Sequence, residues 1–170
     1  MKTDFTIRQA QQSDAVELKE LFQNTVLVIN RRDYSQAEVE DWVSCGNNLS
    51  NIKERVETHC FVVAVNQQSQ IVGFSSITSQ GYLHSMFVHK DFQGEGIATM
   101  LLEEIERYAI TAGITRITSE VSLTARPFFE KKGYVVEKEQ KRKANQLSLT
   151  NFLMAKEVAF LEYYNKKVTD

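Results

Sequence analysis

Proline occurs once, cysteine twice and glycine seven times in the 170 residues. The two thiols, Cys45 and Cys60, stand apart with no metal-ligand spacing around them, so neither a disulfide framework nor a metal site is expected. Cys60 precedes Phe61-Val62-Val63 and reads as core packing. Charge of one sign is also scarce: the formal net charge is −2, which leaves no electrostatic footprint for nucleic acid or anionic lipid. No run approaches the roughly 18 apolar residues of a membrane-spanning helix. Met1-Lys2-Thr3-Asp4 is not followed by the apolar stretch of a signal peptide. The expectation is a cytoplasmic protein with no nucleic-acid or membrane partner. Internal repeats and low-complexity segments are lacking as well.

What is present is an ordinary globular composition, 42% hydrophobic, 10% aromatic and 25% charged, in a chain long enough for one domain with its own core. Phe5 and Ile7 alternate with polar neighbours as a short strand. Ser13-Asp14 reads as the N-cap of a helix carrying Val16, Leu18, Leu21, Phe22, Thr25 and Val26, broken by Asn30 to Tyr34. Ser35 caps a second helix through Val39 and Trp42, and a third is expected around Leu49 to Glu57. Cys60 to Val65 and Ile71 to Ile77 read as a hairpin, followed by a central strand from Tyr82 to Val88. A helix from Ile97 to about Ala112 stops at Gly113. A strand over Arg116 to Val121 leads to a short helix at about Thr124 to Lys132, with Thr124 as N-cap and Pro127 in the first turn. Val135-Val136 and Leu147 to Met154 form a closing hairpin, with Lys141-Arg142-Lys143-Ala144-Asn145 as a solvated basic tip. Val158, Phe160, Leu161 and Tyr164 have helical spacing. Residues 1–158 are therefore read as the domain and 159–170 as an extension that docks on it or pairs with a second subunit in a homodimer.

The chain is organised around Leu83 to Leu102, L-H-S-M-F-V-H-K-D-F-Q-G-E-G-I-A-T-M-L-L, where a strand enters a glycine-bearing turn and then a helix. Such a turn leaves backbone N–H groups unpaired at the positive end of the helix dipole, where phosphate is the natural ligand. Gly94 and Gly96 keep side chains out of the way of a bulky anion. A dinucleotide fingerprint would need a third glycine where Thr99 stands, and a P-loop would need Gly-Lys-Ser/Thr; both fail.

Gln93-Gly94-Glu95-Gly96-Ile97-Ala98 resembles the Q/R-x-x-G-x-G/A signature of the GCN5-related N-acetyltransferase (GNAT) superfamily. Ala125-Arg126-Pro127-Phe128-Phe129-Glu130-Lys131-Lys132-Gly133-Tyr134 is similar to its A-x-x-x-Y-E-K-x-G-F segment, and Asn151 to Lys156 to its closing M-x-K strand. The three segments occur in the family's order, and the resemblance spans roughly Phe5 to Val158. Asp33-Tyr34-Ser35 with Trp42 and A-R-P-F-F resembles the YafP-like branch. The implied fold is α/β (α+β): one GNAT domain with a central mixed, mostly antiparallel sheet of about six or seven strands, splayed between two parallel central strands and flanked by helices.

The resemblance implies an acetyl-CoA-dependent N-acetyltransferase that acts on a primary amine of a small molecule or peptide by direct attack in a ternary complex. The backbone from Gln93 through Gly94, Glu95, Gly96, Ile97 and Ala98, with the Thr99 hydroxyl, would grip the diphosphate. Main-chain groups of Met86, Phe87 and Val88 would pair with the pantetheine arm. Strand parity places Tyr82, His84 and Met86 on one face, Gln93 lies nine positions after His84, and His84 is the first candidate base, with Glu120 and Tyr82 as alternatives. The family's acid tyrosine is replaced by Phe129, which can pack against the arm but cannot donate a proton. Thiolate, with a reference pKa about two units below that of an alkylamine, is already the better leaving group, so water, Ser122 or a nearby hydroxyl suffices. Asn30, Arg31, Arg32, Asp33, Tyr34 and Trp42 are candidate acceptor contacts. Phe129 also keeps open a non-catalytic acyl-CoA-binding or partner-binding domain. A dinucleotide-dependent oxidoreductase is the third and weakest reading.

Overall fold

The computed structural model describes residues 4–159. The expected helical spacing of Phe160, Leu161 and Tyr164, and with it the docking or dimerising tail, lies outside the described residues.

Four strands, β1 (Thr6–Gln9), β2 (Cys60–Val65), β3 (Ile71–Ile77) and β4 (Leu83–Val88), form one antiparallel sheet in that order. Three more, β5 (Arg116–Ser122), β6 (Val135–Lys143) and β7 (Ser148–Glu157), form a second in the order β5-β7-β6. A single parallel bridge, Tyr82 to Thr118, joins β4 to β5, and beyond it the two strands part. This is the splayed mixed arrangement expected. Helices α1 (Ala15–Val28), α2 (Gln36–Cys45) and α3 (Leu49–Thr58) come early in the chain, with α4 (Ile97–Thr111) and α5 (Arg126–Lys131) later.

Burial follows from the sequence pattern. In β2, Val62 and Ala64 join the core beneath α4, whereas Phe61 and Val63 pack under α1 and α3. A strand covered on both faces has no polar alternation to show, which is why C-F-V-V-A-V reads as one apolar run. The strand β6 lies at an edge, exposes most of its charged side chains and is thereby protected against pairing with another chain.

Three local expectations are corrected. Asp14 stands at the N-cap position of α1 as expected, but its carboxylate makes no cap bond there; it accepts from the Gln11 N–H at 2.7 Å and from Arg8 Nη1 at 2.8 Å, because a buried charge is better answered by a guanidinium. Thr124 does not cap α5. The helix begins two residues later, and the Ser122 hydroxyl accepts from the Ala125 N–H at 3.1 Å instead. Lys141, Arg142 and Lys143 belong to β6, and the hairpin tip is 144–147, closed by a hydrogen bond from the Ala144 N–H to the Leu147 carbonyl.

Candidate active site

The splay between β4 and β5 opens into one cavity of about 810 Å³. It runs from the start of α4, along β4, to a wall built by α1, α2 and the end of the β6–β7 hairpin. Tyr82, His84, Met86, Phe87, Val88, Gln93, Gly94, Gly96, Ile97, Ala98, Thr99, Glu120, Ser122, Phe129, Asn30, Tyr34 and Trp42 all reach it. Arg31, Arg32, Asp33 and Glu95 do not contribute to its wall. Glu95 is exposed on the turn, and Arg31 donates to Gln36 Oε1 at 3.2 Å and to the Tyr34 carbonyl at 3.0 Å, holding its own loop together.

At one end the turn from β4 to α4 takes the conformation that glycine permits. Gly94 and Gly96 have φ of +75° and +84°, and a β-carbon on either would meet no heavy atom within 4 Å. The glycines are thus required by backbone conformation and by the open space they face, and a diphosphate fits that cradle. Gln93 secures it from behind: its Nε2 donates to the Val88 carbonyl at 2.8 Å. The first turn of α4 closes with a hydrogen bond from the Met100 N–H to the Gly96 carbonyl, so the N–H groups before it face the cradle without an intrahelical partner. Gly73 on β3 sets the depth of the helix. A β-carbon there would lie 2.8 Å from Ile97 Cγ2 and 3.2 Å from the Phe87 carbonyl oxygen.

Along the middle, the main chain of β4 is only partly free. The His89 N–H bonds the Val72 carbonyl, and antiparallel alternation then turns the main-chain groups of Phe87 toward Phe74 on β3. Met86 faces the open edge. The Val88 carbonyl is engaged by Gln93 and by the Thr25 hydroxyl at 2.9 Å. Of the three residues expected to pair with an arm, Met86 therefore has both main-chain groups free and Val88 its N–H.

Strand parity fails at His84 for a definite reason. β4 pairs Ser85 with Ser76 and Leu83 with Ile77, so His84 is a bulge residue. Leu83 and Met86 consequently both pack in the α4-side core, while His84 turns into the cavity between His59, at 5.5 Å between ring centroids, and Tyr82, at 6.1 Å. Crowding by protein atoms, then the Arg55 guanidinium, then His59 lower its pKa to about 4. The imidazole is neutral at pH 7 with a lone pair available. Glu120, the first alternative, is held by Arg142 Nη2 at 2.8 Å. Tyr82, the second, has its pKa raised by burial and keeps its proton. Phe129 is buried against Tyr134 and Phe128 and offers no proton. The wall does hold hydroxyls: Ser122, and Thr124, whose buried Oγ1 has no partner among the described residues.

The far wall is bolted to the second sheet. Tyr34, buried, donates its hydroxyl to the Thr150 carbonyl at 2.7 Å and accepts from the Leu123 N–H at 2.9 Å. Its ring stacks edge-on with Trp42, which also meets Phe22 and Phe87. Asp41 on α2 accepts from the N–H groups of Asn145, Gln146 and Leu147 at 2.9 to 3.1 Å. Desolvation works against that carboxylate, but these three bonds and Lys143 hold its pKa below the usual range. Arg55, His59, Asp41, Gly73, Thr124 and Arg142 were not marked as site residues by the sequence; only the bare helical position of Arg55, facing inward with Ile52, could have drawn attention to it. Cys45 lines the cavity with a pKa raised by burial, and is a thiol rather than a thiolate. Among the described residues no helix is long and apolar enough to cross a membrane.

Comparison with known proteins agrees with this architecture. Residues 30–157 match the family model for the acetyltransferase (GNAT) domain. The chain is 28% identical over 149 residues to the N-acetyltransferase YafP of Escherichia coli K12, covering 87% of this chain and 93% of that protein. A GCN5-related N-acetyltransferase structure from Rhodopseudomonas palustris superposes with a TM-score of 0.88 at 26% identity, covering 93% of this chain and 99% of that one. The PaiA N-acetyltransferase of Thermoplasma acidophilum, solved with coenzyme A, shares the fold with a TM-score of 0.76 at 18% identity, covering 91% and 99%. With a family model matched over most of its length, and with the splayed sheets and glycine cradle on which that fold is built, the chain belongs to the GNAT family of acetyltransferases.

Proposed function

We propose that this cleft transfers an acetyl group from acetyl-CoA to a primary amine of a small molecule or peptide, by direct attack with both substrates bound. One observation carries the reading: a single continuous cavity joins the α4 cradle to the His84 bulge and the Asn30–Trp42 wall. The N–H groups from Gly94 to Ala98 hold the diphosphate, and the free main-chain groups of Met86 hold the arm and polarise the thioester carbonyl. His84, neutral at pH 7, accepts the amine proton directly or through water. Ser122 or Thr124 hydrogen-bonds the departing sulfur. Asn30 is buried on the cavity wall with its main-chain carbonyl engaged by Asp33 and Tyr34 N–H groups, which leaves its amide for the acceptor. The domain runs to Val158, which is buried and donates its N–H to the Thr115 carbonyl at 2.8 Å.

The test is a thermal-shift titration with acetyl-CoA, CoA and NADH in parallel, followed by amine-dependent release of CoA thiol. Ligand at 100 times its dissociation constant adds about 2.7 kcal/mol, or roughly 5–11 °C for a domain of this size. Shifts with both CoA forms and none with NADH, then amine-dependent turnover that His84→Ala lowers without loss of CoA binding, support the reading. Buried Phe129 favours a second reading, a non-catalytic acyl-CoA-binding domain; CoA binding with no amine-dependent turnover would establish it.

A further inference from the structure

Arg55 is a cation of the cleft that no carboxylate of the described residues pairs with, and it stands at the His84 end, away from Lys143 at the β6–β7 hairpin. It lies on α3, is half-buried, and lines the same cavity as Tyr82, His84 and Glu120. Among the described residues no carboxylate reaches ion-pair distance of its guanidinium; the neighbouring Glu54 acts on it only through space, and burial lowers its pKa. Its counterpart across the cavity, Arg142, is bound to Glu120 at 2.8 Å. The wall thus carries three cations, Arg55, Arg142 and Lys143, against one carboxylate that is already engaged. A second unanswered polar atom stands alongside: His59 Nδ1 is buried without a partner, and its ring is 5.5 Å from that of His84.

An arginine drawn partly out of water without an anion is costly, and its planar fork matches a carboxylate or a phosphate. The excess positive charge in a concave, low-dielectric cleft repels polycationic amines and attracts anionic ones. Building on the acetyltransferase reading, we infer that the acceptor amine carries an anionic group, a carboxylate or a phosphate, and that Arg55 anchors it at the His84 end of the cleft. Binding then also prepares the base. The anion neutralises the charge that, after burial itself, most depresses the His84 imidazole, and its pKa rises while the amine is in place. The other charged or titratable groups facing His84 are His59, Tyr82 and the Glu120–Arg142 pair.

The chain has three histidines, so their ring resonances are readily assigned by substitution, and the His84 pKa can be followed by NMR. The experiment uses protein saturated with CoA, which fills the diphosphate cradle, and titrates acetate and inorganic phosphate in separate arms. The expected result is a rise of about half a unit or more in the His84 pKa with one or both anions. The arm that responds tells a carboxylate acceptor from a phosphorylated one. Arg55→Gln raises the pKa without anion and abolishes the response. In turnover, amino acids are favoured over their carboxamides by roughly 10- to 100-fold in kcat/KM if the carboxylate arm responds, and Arg55→Gln removes the preference by raising KM. Silent histidines in both arms, or equal kcat/KM for acid and amide in the wild type, would overturn the anchor. Loss of CoA binding is read beforehand by thermal shift and bears on the acetyltransferase reading alone.

Discussion

Replacing Tyr34 by phenylalanine removes one oxygen and breaks two hydrogen bonds at once. In the native protein that hydroxyl is donor to the Thr150 carbonyl at 2.7 Å and acceptor from the Leu123 N–H at 2.9 Å, on a side chain only 4% exposed. It is the tie between the α1–α2 loop and the second sheet, on residues 89 and 116 positions away in sequence. The variant keeps the ring and its edge contact with Trp42, so no cavity of consequence opens. The cost is that of two main-chain groups left without a partner, about 1–3 kcal/mol each when fully buried. The adjacent cleft lets water reach part of the site, so the net loss is about 2–4 kcal/mol. For a domain of this size that lowers Tm by roughly 5–15 °C. Thermal unfolding of the two proteins measures it, with CoA titrated on each. On the proposed reading the loss falls on the acceptor wall and CoA binds at the opposite end, so the stabilisation by CoA is expected to persist in the variant. A Tm within about 2 °C of the wild type would refute the bolt. Loss of CoA binding at a temperature where the variant is folded would refute the division of the cleft into donor and acceptor ends.

Four further outcomes are expected. Gly96→Asp abolishes CoA binding because its carboxylate enters the cradle, whereas Gly96→Asn, with the same backbone strain of about 1–2 kcal/mol but no charge, retains measurable binding; equal loss in both would make the effect one of strain. Gly73→Ala forces its β-carbon against Ile97, lowering stability by about 1–3 kcal/mol and weakening CoA binding as α4 shifts, which melting curves with and without CoA can separate. His84, with a folded pKa of about 4 against 6.5 unfolded, makes the unfolded chain the tighter proton binder between those values, so stability falls as pH drops from 6.5 toward 4. His84→Gln should flatten that slope, and urea midpoints across the range give the answer. Asp41→Ala releases the three N–H groups of the β6–β7 tip and should raise acceptor KM while leaving CoA affinity alone; unchanged KM would show that the tip does not shape the acceptor end.

Much of the domain can be traced to local rules. The β2–β3 hairpin, the Ser35 cap of α2, the turn from β4 to α4 and the expectation of six or seven strands are matters of apolar period, capping chemistry and glycine placement, each acting over a few residues. The glycine turn was legible for the same reason: a run of consecutive main-chain N–H groups, the kind proposed here to hold an anion, is written in consecutive residues. Where local rules failed, a longer-range partner won. Asp14 preferred a guanidinium to a helix cap, the basic residues 141–143 were drawn into β6, and parity broke at His84 because β4 and β3 differ by one residue in length across the bulge.

The amino-acid sequence by itself determined the fold and the glycine turn that opens α4, since both rest on periodicity and on backbone conformations that only particular residues adopt. The other end of the cleft, proposed for the acceptor, was decided by tertiary structure. Tyr34 and Asp41 reach the second sheet across 89 to 116 residues, Arg55 acts on His84 only because α3 packs against α1 and β2, and Gly73 matters only because α4 lands on it. None of those meetings leaves a mark in local spacing, because each depends on where two separately formed sheets part.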